Sequence, residues 1–374
     1  MTVSEPLKDS FGADVVLRVA DMIAPVADAF PREAFIADAL DGYEALELTP
    51  RARRIAAALA RALPPDPEVA IGVLVDSLGP TLEERPSTGM SQFVYLPHVF
   101  FVRDHGLACV EASLRAQHAI TQRFSCEFSI RTFIERAPAQ TMPRLGEWTR
   151  DPSEHVRRLV SEGTRPRLPW APRLRGFMED PTPVIELLDA LKDDRSEYVR
   201  RSVANNLNDI SKDHPDLAVA TARRWMHDAG PDRRRLVAHG LRTLIKAGDS
   251  GALGALGFEA GARADVTGLA VVPAEARIGD AVDVTAQVTN PGGGMARLVV
   301  DLRVHFVKAR GTSSPKVFKV RTLELAGGER VAVRKRISLR QHSTRTHHPG
   351  LHRVEVMVNG AVAATTAFTL DEPR

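Results

Sequence analysis

The sequence predicts a multidomain protein in which an all-α HEAT-like repeat solenoid is followed by an all-β immunoglobulin-like sandwich. Three observations predict it: apolar residues at helical spacing as far as Gly257, a motif that recurs within the helical part, and alternating β-branched residues from Val266 onward. A chain of 374 residues is long enough for two domains or three. We therefore predict a helical domain over 1–258, a linker over 259–265 and a β-sandwich over 266–374.

Apolar residues three and four positions apart predict the helices of the first part. One such set is Val16, Val19, Ala20 and Ile23. Pro31 and Pro50 fall between the sets, where a proline begins or ends a helix. The spacing continues over 107–136, 154–162, 183–191, 198–210 and 217–227. Because Gly79–Phe93 breaks this rhythm, we predict a long loop there.

A repeated motif predicts how these helices are arranged. The segment Asp151–Val160 (DPSEHVRRLV) recurs 43 residues later as Asp194–Val203 (DRSEYVRRSV). Weaker echoes match Arg234–His239 to Arg200–Asn205, and Arg123–Glu127 to Arg158–Glu162 at an offset of 35 residues. A period of about 35–45 residues with two helices per repeat is typical of HEAT and armadillo proteins, whose stacked helix pairs curve into a concave face.

From Val266 the pattern changes to that of β-strands. Alternating residues such as Val282, Val284 and Val288 predict a half-buried strand, and similar runs lie over 299–307, 317–333 and 354–358. The turn segments between the runs are Asn290–Gly294, Gly327–Gly328 and Asn359–Gly360. About seven short strands in such a region suit an immunoglobulin-like sandwich. The region has no Cys…Trp…Cys pattern, so the sandwich would be a disulfide-free variant.

Charge is distributed unevenly along the chain. The 50 Lys and Arg and 47 Asp and Glu give a net charge of +3. Residues 266–374 contain 16 basic and 9 acidic side chains, a net of +7, so the preceding 265 residues have a net of −4. A basic C-terminal part favours a polyanionic partner, although an ordinary solvated surface gives the same count.

Several classes of protein are excluded or disfavoured. The two cysteines, Cys109 and Cys126, cannot form a disulfide framework or a thiolate zinc site. No apolar run approaches the ~18 residues of a membrane-spanning helix, and the N-terminus lacks the plan of a signal peptide, so we expect a cytoplasmic protein. The chain has no Walker A, GxGxxG, GxSxG or HExxH motif, so no nucleotide, nicotinamide or zinc cofactor is expected.

Charged residues recur at corresponding positions of the repeats. They form the sets Arg123/Glu127, Arg158/Glu162 and Arg201/Asn205/Asp209, whose members are four residues apart and would share a helix face. One interpretation is a row of surface ion pairs, each contributing a few tenths of a kcal/mol. The other is a polar site on the concave face, favoured by the polar run Asn205–Asp209 (NNLND) within a helix.

The tract Arg157–Trp170 (RRLVSEGTRPRLPW) is unusually rich in arginine and proline. A helix that ends at Gly163 would place Arg165, Arg167 and Trp170 on an irregular, exposed connection. Arginines there can bind phosphates, and an exposed tryptophan offers a π-face to a cation. Packing of Trp170 in the core is the alternative. The run Arg233–Arg235 adds positive charge to the last repeat, or simply forms a solvated face.

Four histidines lie in or beside the turn that contains Pro349 and Gly350. They are His342, His347, His348 and His352. No carboxylate or cysteine accompanies them at ligand spacing, so we expect no metal site here.

The longest of these polar tracts resemble a known family. His155–Trp170 and Tyr198–Asp209 closely resemble the AlkC branch of the bacterial DNA alkylation-repair glycosylases. Shorter strings with the same likeness are Gly89–Met90, Tyr95–Phe100 and the residues within Arg123–Arg131. The likeness extends from Leu7 to about Phe258, and the C-terminal part resembles the subset with an extra immunoglobulin-like domain. Arg195, where the repeat partner has Pro152, is a small departure away from the polar face.

The resemblance implies a monofunctional glycosylase of HEAT-like repeats that acts in base excision repair. Its substrates would be cationic N-alkylated bases in double-stranded DNA: 3-methyladenine, 3-methylcytosine and 1-methyladenine. Such a base leaves without the general acid that most glycosidic cleavages need, so carboxylates that stabilise an oxocarbenium-like sugar and orient a water are sufficient. The family is understood to leave the lesion near the base stack and to bend the duplex, rather than to extrude the base into a pocket.

The resemblance also implies roles for individual residues. Glu162 and Asp209 would be the catalytic carboxylates with Glu127 as a third acid, and the residue that positions the water is left open. Trp170 would contact the deoxyribose or the cationic base. The predicted DNA-binding residues are Arg158, Arg201, Asn205, Arg165, Arg167, Arg234, Lys316, Lys319 and Arg345. Arg158 and Arg201 would orient the acids or hold flanking phosphates.

Two other functions remain open at this point. A non-catalytic HEAT scaffold that binds DNA or protein would share the same architecture, and the sandwich could serve protein partners alone. Both the enzyme and the scaffold are compatible with a monomer. We expect a monomer, because a repeat protein that scans DNA need not oligomerise. Loss of base release on removal of a carboxylate would distinguish the enzyme from the scaffold.

Overall fold

The computed structural model describes residues 7–84, 90–258, 264–341 and 346–373. The chain folds as two compact units, Met1–Asp213 and His214–Arg374. The change from helix to strand falls later, between Ala255 and Asp265. The predicted domain limits of 1–258 and 266–374 follow that change in secondary structure and, as domain limits, stay a prediction.

The first unit is helical. Its helices are α1 (Ala13–Ile23), α2 (Arg32–Leu40), α3 (Leu48–Ala62), α4 (Pro67–Asp76), α5 (Leu96–His105), α6 (Val110–Thr121), α7 (Ile130–Arg136), α8 (Pro138–Trp148), α9 (Glu154–Gly163), α10 (Arg175–Glu179), α11 (Thr182–Leu191) and α12 (Glu197–Ile210). Prolines begin several of them, because a proline in the first turn gives up no helical hydrogen bond. At α4 the preceding Asp66 also caps the helix, and its Oδ1 accepts from the Glu68 amide at 2.9 Å.

The sequence repeat corresponds to a structural repeat. Arg157 Nη1 donates to the Asp151 carbonyl at 2.7 Å, and in the next copy Arg200 Nη1 donates to the Asp194 carbonyl at 2.6 Å. Each aspartate also accepts from an amide two residues on, at the start of α9 and of α12. The copies are joined because Arg157 Nε donates to Asp194 Oδ2 at 2.6 Å. The prediction of a HEAT-like helical repeat is confirmed.

Helices α9 and α12 pack against each other through apolar and polar contacts. The fully buried apolar side chains on the two helices are Val156, Leu159, Val160, Val199, Val203 and Leu207. Between them Ser161 Oγ donates to Ser202 Oγ at 2.8 Å, and Asn206 Nδ2 donates to the Ser161 carbonyl at 2.8 Å. Asn206 therefore joins two helices, which explains one of the asparagines in the run Asn205–Asp209.

The helix predicted over 107–136 is interrupted. Helix α6 ends at Thr121 and α7 begins at Ile130. In the break, Leu82 donates its amide to the Gln122 carbonyl at 2.9 Å, and Arg123 Nε donates to the Gly79 carbonyl at 2.7 Å. The prediction that Arg123 and Glu127 share a helix face is therefore wrong, because these tertiary hydrogen bonds replace the helical ones. The predicted loop Gly79–Phe93 overlaps residues 85–89, which lie outside the described residues.

The second unit combines helices with a β-sandwich. Its helices are α13 (Pro215–Met226), α14 (Pro231–Gly240), α15 (Arg242–Ala247) and α16 (Ser250–Ala255). Its strands are β1 (Asp265–Val272), β2 (Glu275–Arg277), β3 (Ala281–Thr289), β4 (Ala296–Val307), β5 (Ser313–Leu325), β6 (Arg330–Ser338), β7 (Gly350–Val358) and β8 (Ala361–Asp371). The end of the helical segment packs on the sandwich, where Leu253 and Phe258 bury Val299.

The strands form two sheets, one with the order β1-β3-β6 and the other with the order β2-β8-β7-β4-β5. All pairs are antiparallel except β2 with β8. Strand β3 alternates buried and half-buried residues, so Val282, Val284 and Val288 point into the core between the sheets. The immunoglobulin-like sandwich is confirmed, and the predicted run 317–333 divides at Gly327–Gly328 into β5 and β6.

Candidate functional site

A cavity of about 750 Å³ opens in the first unit. Its walls come from α3, α5, the turn 122–129, α7, α9, the connection 164–174 and α12. The charged residues of the wall are Arg53, Arg103, Glu127, Arg131, Glu135, Arg158, Glu162 and Arg165, and the aromatic ones are Phe93, Phe100, Phe124, Phe128, His155, Trp170 and Tyr198. This cavity therefore contains Glu127, Glu162 and Trp170, three of the four predicted catalytic residues.

Glu162, in the last turn of α9, is buried and fully hydrogen-bonded. Its Oε1 accepts from Arg165 Nη1 at 2.7 Å and lies 3.4 Å from Arg158 Nη2, and its Oε2 accepts from Ser202 Oγ at 2.6 Å. Burial raises the pKa of the Glu162 carboxyl, but the charges of the two arginines and the serine hydroxyl outweigh burial and hold that pKa below its usual range. Glu162 is therefore ionised at neutral pH.

Asp209, on α12, is linked to Glu162 through one guanidinium. Arg165 Nε donates to Asp209 Oδ2 at 2.8 Å, while Lys212 Nζ donates to Oδ1 at 2.8 Å. Asp209 is only 1% exposed and does not line the cavity. Of the three predicted acids, Asp209 is thus the most buried, it contacts the cavity wall through Arg165, and its catalytic role stays a prediction.

Glu127 lies in the turn before α7 and also lines the cavity. Its Oε2 accepts from Arg158 Nη1 at 2.5 Å and from Ser125 Oγ at 2.9 Å. The Arg158 guanidinium lies 5.2 Å from the centre of the Tyr198 ring. Burial works against the charge of Arg158, but Glu127 and Glu162 outweigh it and raise the Arg158 pKa. One arginine therefore contacts both acids, and the predicted role of Arg158, to orient them or to hold flanking phosphates, stays a prediction.

Trp170 is 82% exposed and projects from the connection between α9 and α10. Its φ of 62° lies in the left-handed region, which costs a residue other than glycine on the order of 1–3 kcal/mol. The neighbouring backbone is closed by a hydrogen bond from the Leu174 amide to the Pro166 carbonyl at 3.1 Å. The expectation of an exposed tryptophan is confirmed, and packing of Trp170 in the core is excluded.

The other residues of the predicted exposed connection behave differently. Arg165 is only 8% exposed, because its guanidinium donates hydrogen bonds to two buried carboxylates. The prediction that Arg165 lies on an exposed connection is therefore wrong. Arg167 is half-buried and forms a two-pronged ion pair with Asp213 at 2.5 and 2.9 Å. The acids use Nε and Nη1 of Arg165, which also lines the cavity, and its contact with DNA stays a prediction.

The remaining predicted DNA-binding residues do not line the cavity. Arg201 is exposed and pairs with Glu197 at 3.0 Å, and Asn205 is half-buried on the same helix. In the second unit, Arg234 is exposed on α14, and Lys316 and Lys319 are exposed on the edge strand β5. Arg345 lies outside the described residues. Contact of these residues with DNA stays a prediction.

Sequence reasoning missed Ser202, which donates to the catalytic candidate Glu162. A signal was available in the repeat, because Ser202 occupies the position of Leu159 in the preceding copy. A hydroxyl at a position that is apolar in the other repeat indicates a buried polar partner. Tyr198 and Arg131 were also assigned no role, although both lie within the tracts that resemble the AlkC branch.

The histidines of the sandwich do not form a metal centre among the described residues. The His347 ring packs edge-on against Phe306, and His352 stacks on Phe368. Across the described part of the chain, no three His, Cys, Asp or Glu side chains are grouped as a metal ion would require. His342 lies outside that part.

No helix among residues 7–84, 90–258, 264–341 and 346–373 is long and apolar enough to span a bilayer.

Comparison with known proteins relates both units to one group of proteins. Residues 265–372 match the family model "Uncharacterised protein YhaZ, C-terminal Ig-like domain". The Bacillus subtilis (strain 168) protein YhaZ is 32% identical over 363 residues, which cover 97% of this chain and 98% of that protein. The solved structure of Pseudomonas fluorescens alkylpurine DNA glycosylase AlkC, bound to DNA containing an abasic site analog, is 33% identical, with a TM-score of 0.89 over 98% of this chain and 99% of that one.

Proposed function

The chain belongs to the AlkC family of DNA alkylation-repair glycosylases, and from that premise we propose that it is a monofunctional DNA glycosylase of base excision repair. The proposed reaction is hydrolysis of the N-glycosidic bond of cationic N-alkylated bases in duplex DNA. The proposed substrates are 3-methyladenine, 3-methylcytosine and 1-methyladenine. Similarity to a DNA-bound alkylpurine glycosylase over nearly the whole chain supports this proposal.

The observation that carries the proposal is the ionised Glu162 that shares one cavity with Glu127 and the exposed Trp170. A carboxylate that is desolvated yet kept charged stabilises a positive charge that develops beside it. A non-catalytic scaffold has no need to group three acids around Arg158 and Arg165, because ion pairs away from water contribute little net stability.

The chemistry needs no proton donor. Water adds to the anomeric carbon, the electrons of the N-glycosidic bond pass to the base, and the positive ring of the alkylated base becomes neutral as it leaves. The water must lose a proton, and the sugar passes through an oxocarbenium-like transition state. A carboxylate that accepts a hydrogen bond from the water and another that stabilises the sugar are therefore sufficient.

The hydrogen bonds of the acids favour a division of roles. Both oxygens of Glu162 are engaged by protein donors, whereas Glu127 Oε1 has no hydrogen-bond partner among the described residues. We assign Glu127 as the acceptor for the nucleophilic water and Glu162 as the electrostatic stabiliser of the sugar. Asp209 then holds Arg165 in place and does not touch the substrate.

Trp170 would present its π-face to the deoxyribose or to the cationic base. Because its side chain projects from the wall into open space, the lesion can reach it without deep extrusion from the duplex. This agrees with a mechanism in which the DNA is bent to expose the sugar. Bending requires contacts between the protein and the DNA phosphates. These would come from Arg201, Asn205, Arg234, Lys316 and Lys319.

The test is release of free methylated bases from alkylated duplex DNA under single-turnover conditions. We expect release by the wild type, a loss of about 100-fold or more in Glu162→Gln and in Glu127→Gln, and DNA binding that is kept or tightened as negative charge is removed. Glu197→Gln is the matched control, since Glu197 is exposed and outside the cavity.

The alternative function is a non-catalytic scaffold that binds DNA or protein. It predicts no base release by the wild type, with DNA binding indifferent to both glutamine substitutions. Absence of release from every tested lesion would overturn the enzyme and leave the scaffold. Equal losses in Glu197→Gln and Glu162→Gln would contradict the assignment of the cavity as the active site.

A further inference from the structure

The connection between α9 and α10, residues 164–174, has no regular secondary structure but carries two key side chains. Arg165 bridges Glu162 and Asp209, and Trp170 projects from it with a left-handed backbone. Its internal hydrogen bonds are few: the Leu174 amide donates to the Pro166 carbonyl at 3.1 Å, and the Ala171 amide to the Leu168 carbonyl at 3.4 Å. These bonds close the segment on itself. Contacts with α12 and the residues after it hold its first part, because Arg165 and Arg167 pair with Asp209 and Asp213 and Asn206 Nδ2 donates to Thr164 Oγ1 at 3.0 Å.

Arg131 attaches the connection from the other side, because it reaches the backbone from α7. Its Nη1 donates to the Gly163 carbonyl at 3.1 Å and to the Arg165 carbonyl at 2.6 Å, and its Nη2 donates to the Pro172 carbonyl at 2.5 Å. Arg131 is 4% exposed, and its Nε has no hydrogen-bond partner among the described residues. One side chain thus binds the beginning of the connection and the residue two positions after Trp170.

Arg131 is buried, which distinguishes it from an arginine in a surface ion pair. Burial lowers the pKa of Arg131 to about 10 against the opposing charge of Glu135, so the guanidinium is still charged at neutral pH. None of the carboxylates that the structure describes lies within ion-pair distance of it. Its charge is compensated by backbone carbonyl dipoles, and all three belong to the same short stretch of chain. A planar guanidinium can bind three carbonyls in fixed directions, whereas an ammonium is a point donor.

We propose that Arg131 is a positioning residue that holds residues 163–172 as a fixed wall of the cavity, so that Arg165 stays between the two acids and Trp170 faces the bound substrate. The inference rests on the proposed glycosylase function and deepens it by naming what organises the site. Arg131 itself touches neither the substrate nor the attacking water.

Loss of this attachment should affect the chemical step more than DNA binding. The Arg165 carbonyl would be released, so the backbone would no longer fix the position from which the Arg165 guanidinium bonds to Glu162 and Asp209. A small displacement of catalytic groups can slow a reaction on the order of 100-fold. The cations proposed to contact the DNA phosphates lie outside the cavity wall. The dissociation constant for DNA should therefore change by no more than about twofold to threefold.

The experiment compares Arg131→Lys and Arg131→Gln with the control Arg51→Lys in the full-length protein. Arg51 is a matched control because it is equally buried and also binds backbone carbonyls, those of Leu46, Lys8, Phe11 and Glu44, but does not line the cavity. Four quantities are measured: the melting temperature, the rate of tryptic cleavage after Arg167 and Arg173, the rate of base release at saturating DNA, and the dissociation constant for DNA.

The proposal expects faster cleavage within residues 164–174 and slower base release in both Arg131 variants, with near wild-type DNA affinity, while Arg51→Lys lowers the melting temperature only. Cleavage and release equal to wild type would overturn it. Failure of both Arg131 variants to fold, with Arg51→Lys folded, would also overturn it by making Arg131 a residue of general stability. If the wild type releases no base, the proposed function fails, and unchanged tryptic cleavage would separately overturn the role of Arg131.

Discussion

Arg165 Nε donates a hydrogen bond to Asp209 Oδ2 at 2.8 Å, although the two residues are 44 positions apart in the chain. The same guanidinium donates through Nη1 to Glu162 Oε1 at 2.7 Å. Two buried carboxylates from successive repeats therefore share one cation, so the packing of the repeats decides whether one guanidinium can reach both acids. This relationship links the packing of α9 on α12 to the chemistry of the cavity.

Removal of the shared cation should be costly. In Arg165→Met both carboxylates lose a buried partner, so we expect the free energy of unfolding to fall by about 3–5 kcal/mol, measured by urea denaturation. The control Arg201→Met breaks an exposed pair with Glu197 and should cost no more than about 0.5 kcal/mol. Equal losses in the two variants would contradict a structural link through Arg165.

Because Trp170 has a left-handed backbone, replacing it by glycine or by alanine should change stability differently but base release equally. Glycine adopts this conformation freely, so Trp170→Gly should be more stable than Trp170→Ala by about 1 kcal/mol. Both variants lose the π-face and should release bases about 10-fold more slowly. Urea midpoints and single-turnover rates check the two statements, and an alanine variant that is the more stable of the two would contradict the first.

The hydrogen bond from Ser202 to Glu162 should appear in the pH profile of base release. The proposed mechanism needs ionised Glu162, so activity should be lost as the pH falls through the pKa of that carboxyl. Ser202→Ala removes a donor that lowers this pKa, so the acidic limb of the profile should move to higher pH. The variant Ser211→Ala is a control, because Ser211 is a buried serine of the same region that bonds only to a backbone carbonyl. An acidic limb that does not move in Ser202→Ala would contradict the proposed role of Glu162.

His98 should make the stability of the protein depend on pH. Its ring is fully buried against Ser77, and burial lowers its pKa to about 4. Between pH 6.5 and 4 the unfolded chain binds a proton at this residue and the folded one does not, so stability falls by about 3 kcal/mol as the pH is lowered through this range. In His98→Leu this part of the slope should vanish, whereas exposed His227 can be replaced by glutamine without effect. Parallel stability curves for wild type and His98→Leu would refute the assignment.

Much of the architecture was predictable because it is encoded by local periodicity. The recurrence of Asp151–Val160 as Asp194–Val203 predicted equivalent helices, and each copy makes the same contact between an arginine and a carbonyl six residues before it. Alternation of β-branched residues predicted strands such as β3. In both cases the periods of the helix and the strand are read directly from the spacing of apolar residues.

The errors arose where long-range hydrogen bonds overrode that periodicity. Glu127 lies in a turn because the neighbouring Arg123 binds the Gly79 carbonyl, a contact 44 residues distant that no local pattern records. Arg165 looked exposed because it follows a helix end, yet it is buried by acids from another repeat.

The sequence by itself determined the two classes of fold, the repeat, the family and the residue types of the candidate site. Only the tertiary structure decided that Glu127 and Glu162 line one cavity with Trp170, that Asp209 is shielded behind Arg165, and that Arg131 attaches the connection to the wall. The physical reason is that helical and strand periods depend on neighbours in the chain, whereas the pairing of buried charges depends on which helices pack together. A buried charge without a partner is costly, so the helices pack in the arrangement that brings each buried acid to a cation.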